Sequence, residues 1–139
     1  MMTRNETHWL VRHTIPSDTS IASRLIDQLL EVMLERGWPA QELFHVQLAY
    51  EEAVVNAIVH GNKRSASKTV DVMMSCASDR VEIQITDQGA GFDPQEVPDP
   101  RQEQFLEVPG GRGLLLMHEV MSEIGYNAEG NQITMIKTR

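Results

Sequence analysis

Strand-like patterns occur in three stretches of the chain. Residues Glu6–Ile15 and Val81–Thr86 alternate apolar and polar side chains, which is the two-residue period of a strand with one buried face. Residues Thr69–Ala77 are rich in β-branched and methionine side chains, which are typical of strands. Because only the short turn Ser78–Arg80 separates the last two stretches, they are predicted to form a hairpin.

Apolar residues spaced three or four apart predict helices in three other stretches. These helices are predicted over Asp18–Gly37, Pro39–Gly61 and Gly110–Gly125. The first starts at an N-cap and the second at a proline, and all three finish at a glycine. The tail Tyr126–Arg139 is predicted to be a closing hairpin that turns at Glu129–Asn131.

The second of these helices carries an acid and an amide that need an explanation. Glu52 and Asn56 stand four residues apart, about one turn, and therefore share a face. An unpaired acid or amide is costly to bury, so the pair requires a ligand or a polar network. Because Glu51 falls inside the apolar sector, periodicity does not choose between the two glutamates, and the choice of Glu52 rests on its spacing to Asn56. The apolar sector comprises Phe44, Leu48, Val55, Ile58 and Val59.

Composition narrows the class of protein. A length of 139 residues predicts a single domain over residues 1–139 with its own core. The formal charge of -8 argues against a nucleic-acid backbone or an anionic membrane as the main partner. With Cys76 as its single cysteine, the chain forms no intrachain disulfide, and no apolar run reaches the roughly 18 residues of a membrane span. Because Met1–Trp9 also lacks the apolar core of a signal peptide, the chain is expected to be soluble and cytoplasmic.

Two glycine-rich stretches add candidate chemistry. Asp87 follows a predicted strand, where it suits the exocyclic amine of adenine, and Gly89 and Gly91 permit a sharp turn close to a ligand. The run Gly110–Gly113 opens a helix, where free amides and the helix dipole favour a phosphate, and its Arg112 is suited to a terminal phosphate. Simpler explanations exist for each feature. The stretch after Asp87 is also compatible with an ordinary turn, the run Gly110–Gly113 with close packing of chain and helix, and Arg112 with a solvated loop arginine.

Between these two stretches, residues 92–109 are rich in proline and acid and show no sustained periodicity. Such a long irregular stretch in a compact domain is typical of a functional lid or of a disordered segment.

In this order and spacing the three elements resemble the GHKL (Bergerat-fold) ATPases, and within them the small anti-sigma-factor serine/threonine kinases of bacterial partner-switching systems. The match is to the N box in EEAVVNAIVHG, the G1 box in DQGAGF and the G2 box in GGRGLLLM, and it covers roughly Glu42 to the C-terminus. The resemblance implies an α+β fold, a two-layer sandwich in which a mixed, mostly antiparallel sheet is covered on one face by about three helices.

The resemblance also implies a role for each candidate residue. Glu52 would be the catalytic base, Asn56 the ligand of Mg²⁺, and Asp87 the residue that recognises adenine. The remaining ATP contacts would be the adenine-side turn at Gly89 and Gly91 and the phosphate side at Gly110, Gly111, Arg112, Gly113 and Leu114.

ATP and Mg²⁺ are therefore the expected cofactors. The implied partners are an antagonist protein of the STAS type, phosphorylated on serine or threonine, and a sigma factor, which many members of this type hold as homodimers.

Two other functions stay open at the level of sequence. One is a non-catalytic ATP-binding module that holds a regulator, and the other is the detached catalytic domain of a two-component sensor kinase. No predicted helix carries the phosphoacceptor histidine of a sensor kinase, which speaks against the second.

Overall fold

A computed structural model describes residues 8–89 and 111–139, and for residues 111–114 it describes the backbone alone. Within these ranges the second helix continues directly into a π-helical segment. The elements in chain order are β1 (Trp9–Pro16), α1 (Thr19–Glu35), α2 (Ala40–Val55), the π-helical segment (Asn56–Gly61), β2 (Thr69–Cys76), β3 (Arg80–Thr86), α3 (Gly111–Val120), β4 (Glu123–Tyr126) and β5 (Gln132–Thr138).

The strands form one five-stranded sheet in the order β1-β2-β3-β5-β4. All four pairings between the described strands are antiparallel. The register aligns apolar side chains into rows on one face, because residues opposite each other in a ladder point to the same side. One such row crosses all five strands through Val11, Met74, Ile83, Met135 and Ile124.

The helices cover this apolar face, and the core lies between the two layers. Helix α1 buries a single stripe at helical spacing, consisting of Ala22, Ile26, Leu29 and Met33. The hydroxyl of Tyr50 on α2 donates a hydrogen bond to the carbonyl of Ala22 at 2.6 Å, so the two helices are also joined by a buried polar contact. The predicted α+β sandwich is thereby confirmed.

Local signals at the ends of α1 are confirmed as well. Asp18 is the N-cap, and its Oδ1 accepts hydrogen bonds from the N–H groups of Ser20 at 2.8 Å and Ile21 at 3.2 Å. Gly37 follows the helix with a φ of 79°, a left-handed conformation that glycine adopts without strain. Each helix that lies within the described ranges is too short or too polar to span a lipid bilayer.

The predicted apolar sector of the second helix is wrong at two positions. Phe44 is 62% exposed and Val55 is 37% exposed. The helix instead buries an adjacent sector in which small residues allow close approach to the sheet and to α1, namely Val46, Ala49, Tyr50, Ala53 and Val54. The prediction gave weight to large apolar side chains such as Phe44 and Val55. Ala49 and Ala53 contribute little to an apolar pattern, but they are buried here because their small size allows close packing.

The predicted end of the third helix is also wrong. Helix α3 stops at Val120, and Ile124 and Gly125 lie on the edge strand β4. Their spacing from the helix is compatible with another turn, but pairing with β5 supplies their backbone hydrogen bonds instead. The closing hairpin is confirmed, with its first strand starting at Glu123. The predicted irregular segment 92–109 lies outside the described residues.

Candidate functional site

Glu52 and Asn56 lie on one side of the second helix, where α2 passes into the π-helical segment. Both side chains are half-buried. Among residues 8–89 and 115–139, the Glu52 carboxylate and the Asn56 amide form no hydrogen bond or ion pair. Such groups are available to a ligand, because a bound nucleotide or ion would displace no described protein partner.

The neighbouring Glu51 has a different surrounding. Its Oε1 accepts a hydrogen bond from the hydroxyl of Ser23 at 2.9 Å, which ties α2 to α1. Periodicity left the two glutamates undecided, and the contacts separate them. Glu51 joins the two helices, whereas Glu52 shares its face with Asn56.

The helix widens into the π-helical segment at Asn56, one turn after Glu52. The N–H of Asn62 donates to the carbonyl of Ala57, five residues back, at 2.8 Å. Turns of this kind are rare and often lie at functional sites. Here the wider turn carries the helical path on to Gly61, which lies against the residues that follow β3.

Asp87 continues the helix-facing side of β3, because side chains alternate along the strand and Ile83 and Ile85 face the core. Its backbone is fixed by the last hairpin. The Asp87 N–H donates to the carbonyl of Asn131 at 2.9 Å, and the Asn131 Nδ2 donates to the Asp87 carbonyl at 3.3 Å. The end of β3 is therefore anchored to the β4–β5 turn.

The Asp87 carboxylate is partly withdrawn from water. Burial raises its pKa above the ordinary value, and two opposing effects lower it: a hydrogen bond from the Gly89 N–H to Oδ1 at 2.7 Å, and the positive charge of Lys68. The carboxylate is thus partly desolvated, and one of its oxygens is already oriented by the backbone.

Two glycines permit this arrangement. A Cβ added to Gly61 would lie 2.4 Å from Asp87 Oδ2, and a Cβ added to Gly89 would lie 2.2 Å from the Gly61 carbonyl oxygen. No side chain fits either space without movement, since real Cβ atoms do not approach other atoms so closely. Gly89 was predicted to allow a close approach to a ligand, which stays a prediction; the structure shows that Gly89 lies close to the end of the second helix.

The remaining predicted residues are described less completely. Helix α3 begins at Gly111, which agrees with a helix opened by the glycine cluster. Gly91 and Gly110 lie outside the described residues, as do the side chains of Arg112 and Leu114. Glu52 and Asn56 thus lie on the second helix, and Asp87 and Gly89 lie in the loop that packs against the end of that helix. The phosphate site at the glycine cluster stays a prediction.

Sequence reasoning missed three residues around Asp87. Gly61 was interpreted as a helix end and as the last residue of the N box, Asn62 as part of a polar connection, and Asn131 as a turn residue. Each acts through a contact with a residue far away in the chain, so no local pattern carries the signal. The single available hint was the run His-Gly-Asn at 60–62, where a glycine and an asparagine follow a helix that carries other polar residues.

The sequence profile of the histidine kinase-like ATPase domain family matches residues 15–137. An anti-sigma F factor of Clostridium perfringens is 31% identical over 100 residues, which cover 69% of this chain and 70% of the relative. A serine-protein kinase RsbW of Staphylococcus epidermidis is 29% identical over 132 residues, which cover 88% of this chain and 82% of the relative.

Solved structures resemble this fold, among them the crystal structure of the RsbU and RsbW domains of Rv1364c from Mycobacterium tuberculosis, which superposes with a TM-score of 0.58 at 19% sequence identity. The match covers 94% of this chain and 32% of that one, so the present chain spans about a third of that solved chain. At this identity the likeness concerns the fold.

Proposed function

The chain belongs to the family of histidine kinase-like ATPase domains, and on that premise we propose that it is an ATP-dependent serine/threonine protein kinase that acts as an anti-sigma factor. The observation that carries the proposal is the juxtaposition of a helix face bearing Glu52 and Asn56 with the desolvated Asp87 at the end of the same helix. The names of the relatives, anti-sigma F factor and serine-protein kinase RsbW, support the same assignment.

In this proposal Asp87 recognises adenine. Its carboxylate accepts a hydrogen bond from the exocyclic amine, which guanine lacks at that position. The Gly89 N–H holds Oδ1 in place, and the contacts with Gly61 and Gly89 leave the side chain little freedom to turn away. An acceptor that is already oriented and desolvated discriminates between purines more strongly than one that is free in water.

Glu52 serves as the general base. Its carboxylate has no described protein partner and is therefore free to accept the proton of a serine or threonine hydroxyl as that oxygen attacks the γ-phosphate. Asn56, one turn further along, offers a neutral amide oxygen of the kind that Mg²⁺ accepts together with phosphate oxygens and water. The metal, when bound with ATP, would neutralise charge on the phosphates.

The start of α3 is proposed as the phosphate side of the site. Free N–H groups at a helix N-terminus, together with the dipole, favour an anion, and glycines there let the phosphates approach the backbone. The residues assigned to ATP in this part are Gly110, Gly111, Arg112, Gly113 and Leu114, and Gly91 completes the turn on the adenine side.

The protein partners follow from the same assignment. We propose a small STAS-type antagonist as the phosphoacceptor and a sigma factor as the protein that is sequestered. The single domain over residues 1–139, the homodimer and the cytoplasmic location stay predictions. The net charge of -8 does not favour direct contact with nucleic acid.

Calorimetric titration with ATP, with and without Mg²⁺, tests the proposal. We expect one ATP per chain and tighter binding with the metal. The absence of binding at millimolar ATP would contradict the kinase assignment and favour the non-catalytic module. Where binding is seen, incubation with purified STAS-domain proteins should give an acid-stable phosphoester, whereas acid-labile phosphate would favour the sensor-kinase fragment.

A further inference from the structure

Asn62 is a polar residue inside the core of this domain. Its side chain is 0% exposed, and among the residues that the structure describes only Ser75 is also polar and buried. A buried amide is costly unless its hydrogen-bonding groups have partners. The Asn62 Nδ2 donates to Ser17 Oγ at 3.0 Å and to the Thr69 carbonyl at 2.9 Å, and its Oδ1 accepts from the Gln88 N–H at 2.7 Å.

These three bonds join four separate parts of the chain. Ser17 precedes α1, Asn62 follows the π-helical segment, Thr69 opens β2, and Gln88 follows β3. Two further bonds close the network. The Thr69 N–H donates to Gln88 Oε1 at 2.7 Å, and the Ser17 hydroxyl donates to the carbonyl of Lys68 at 2.8 Å.

Two members of the network, Asn62 and Gln88, are chain neighbours of the residues around the Asp87 carboxylate. Asn62 is adjacent to Gly61, and Gln88 lies between Asp87 and Gly89. The bond between the Asn62 amide and the Gln88 backbone therefore sets how closely Gly61 approaches Asp87 and Gly89, a spacing that excludes even a methyl group. Without that bond, the Gln88 backbone loses its hydrogen bond to the end of the second helix, and the described contacts that still hold this loop are the Gln88 side chain on Thr69 and the bonds between Asp87 and Asn131.

We propose that Asn62 is a positioning residue that fixes the Asp87 carboxylate for recognition of adenine without touching the nucleotide. This inference rests on the proposed function of Asp87. The effect on the position of Asp87 is assigned to one hydrogen bond, from the Gln88 N–H to Asn62 Oδ1. The bonds from Asn62 to Ser17 and Thr69 contribute only to the stability of the fold. A purely structural residue would change the stability of the domain and leave the preference for ATP over GTP unchanged.

The test compares dissociation constants for ATP and GTP by calorimetry, at a temperature at which circular dichroism shows each variant to be folded. Asn62→Ala removes the acceptor for Gln88, and Asn62→Ser withdraws it, because the serine oxygen is bonded to Cβ and lies one bond further from the Gln88 N–H than Asn62 Oδ1. We expect each to weaken ATP binding by about tenfold, the loss of one oriented hydrogen bond, and to leave GTP binding nearly unchanged. Serine serves as the second variant, because its hydroxyl keeps the site polar if alanine prevents folding.

Two controls separate position from stability. Ser17→Ala removes one bond of the same network but leaves the link to Gln88, so its melting temperature should fall while its ratio of ATP to GTP affinity stays that of the wild type. Asn62→Asp keeps the oxygen acceptor and loses the donors, so it should be less stable and still prefer ATP. Retention of the wild-type ratio in folded Asn62→Ala or Asn62→Ser would overturn the inference, as would its loss in folded Asn62→Asp.

Failure of the inference differs from failure of the proposed function. If the wild type does not bind ATP, or if Asp87→Asn binds ATP as well as the wild type, the proposed function itself is wrong. If the wild type prefers ATP, Asp87→Asn loses the preference and the Asn62 variants keep it, only the role of Asn62 is wrong.

Discussion

At the scale of single residues, Asp87 combines a position proposed for adenine recognition with a cost in stability. Burial raises the pKa of its carboxyl group in the folded state, so the folded chain binds this proton more tightly than the unfolded chain. The contribution of Asp87 to the free energy of unfolding is therefore most favourable at low pH and is lost as the pH rises through the folded-state pKa.

The substitution Asp87→Asn should consequently stabilise the nucleotide-free protein at neutral pH. The gain should shrink as the pH falls toward the ordinary carboxyl value of 3.8, where the acid is protonated in both states. Thermal unfolding of both proteins over this pH range measures the effect. The same variant should lose most of its ATP affinity, while Asp71→Asn, at an exposed acid, should not. A lower melting temperature for Asp87→Asn at neutral pH would contradict the account.

Gly61 offers a second residue-scale prediction. In Gly61→Ala the new methyl group would lie 2.4 Å from Asp87 Oδ2, so either the carboxylate or the helix end must move. We expect a loss of about 1–3 kcal/mol in the free energy of unfolding together with weaker ATP binding.

Gly125→Ala is the matched control for Gly61→Ala. Its Cβ meets nothing within 4 Å, and stability should change by no more than about 0.5 kcal/mol. Urea unfolding and ATP titration measure both variants. Equal losses in the two variants would show that the contact with Asp87 is not the cause.

At the scale of elements, α2 presents two adjacent glutamates to different surroundings. Glu52→Gln should retain ATP binding and lower the rate of phosphotransfer by about a hundredfold or more, because the amide is not a base. Glu51→Gln should retain the rate and lose only stability, since its partner is Ser23 on α1. Initial rates of transfer to the antagonist and melting temperatures measure the pair of variants. The reverse pattern would assign the base to Glu51.

The position of α3 depends on a lysine from β5. The Lys137 ammonium donates to the carbonyl of Val120 at the end of α3, forms an ion pair with Glu42 Oε1 at 3.4 Å and lies 3.3 Å from His45 Nδ1. Its side chain is only 12% exposed, so water replaces these contacts poorly.

Lys137→Met should therefore cost about 1–3 kcal/mol in the free energy of unfolding, because it leaves a carboxylate and a carbonyl without their partner. Arg80→Met breaks the pair with Glu82, in which the arginine side chain is 50% exposed and the glutamate 19%; because water can replace the arginine, the loss should be less than about 0.5 kcal/mol. Chemical denaturation compares the two variants. A cost for Lys137→Met as small as that for Arg80→Met would show that the contacts around Lys137 do not stabilise α3.

The elements differ in how far the sequence predicted them. Strands β1 to β3 and helix α1 carry their own signals, an alternation or a capped stripe, and were located within a few residues. The boundary between α3 and β4 was not, because Val120 and Ile124 have helical spacing and the competing interaction, pairing with β5, is not local. The buried face of α2 was missed because Ala49 and Ala53 are small.

At the scale of the whole molecule, the residues of the candidate site also divide into those with a local sequence signal and those that depend on distant contacts. Glu52, Asn56 and Asp87 were predicted because their chemical types occur at characteristic positions along the chain, and their contacts with a ligand stay predictions. Gly61, Asn62 and Asn131 were not predicted to support Asp87, because their contacts exist only once the sheet has brought the end of the second helix beside the end of β3. Local sequence patterns thus suggest candidate ligand contacts but do not show which residues hold those candidates in place.

The order of the strands has a kinetic consequence. The sheet is built from pairings between distant segments: Trp9 on β1 lies opposite Cys76 on β2, and Thr86 on β3 lies opposite Gln132 on β5. Such pairings close long loops, which slows folding. The Asp87 N–H has its acceptor on Asn131 only when the β4–β5 turn lies beside the end of β3. In refolding experiments, binding of a fluorescent ATP analogue should therefore appear no earlier than the far-ultraviolet circular dichroism of the complete sheet.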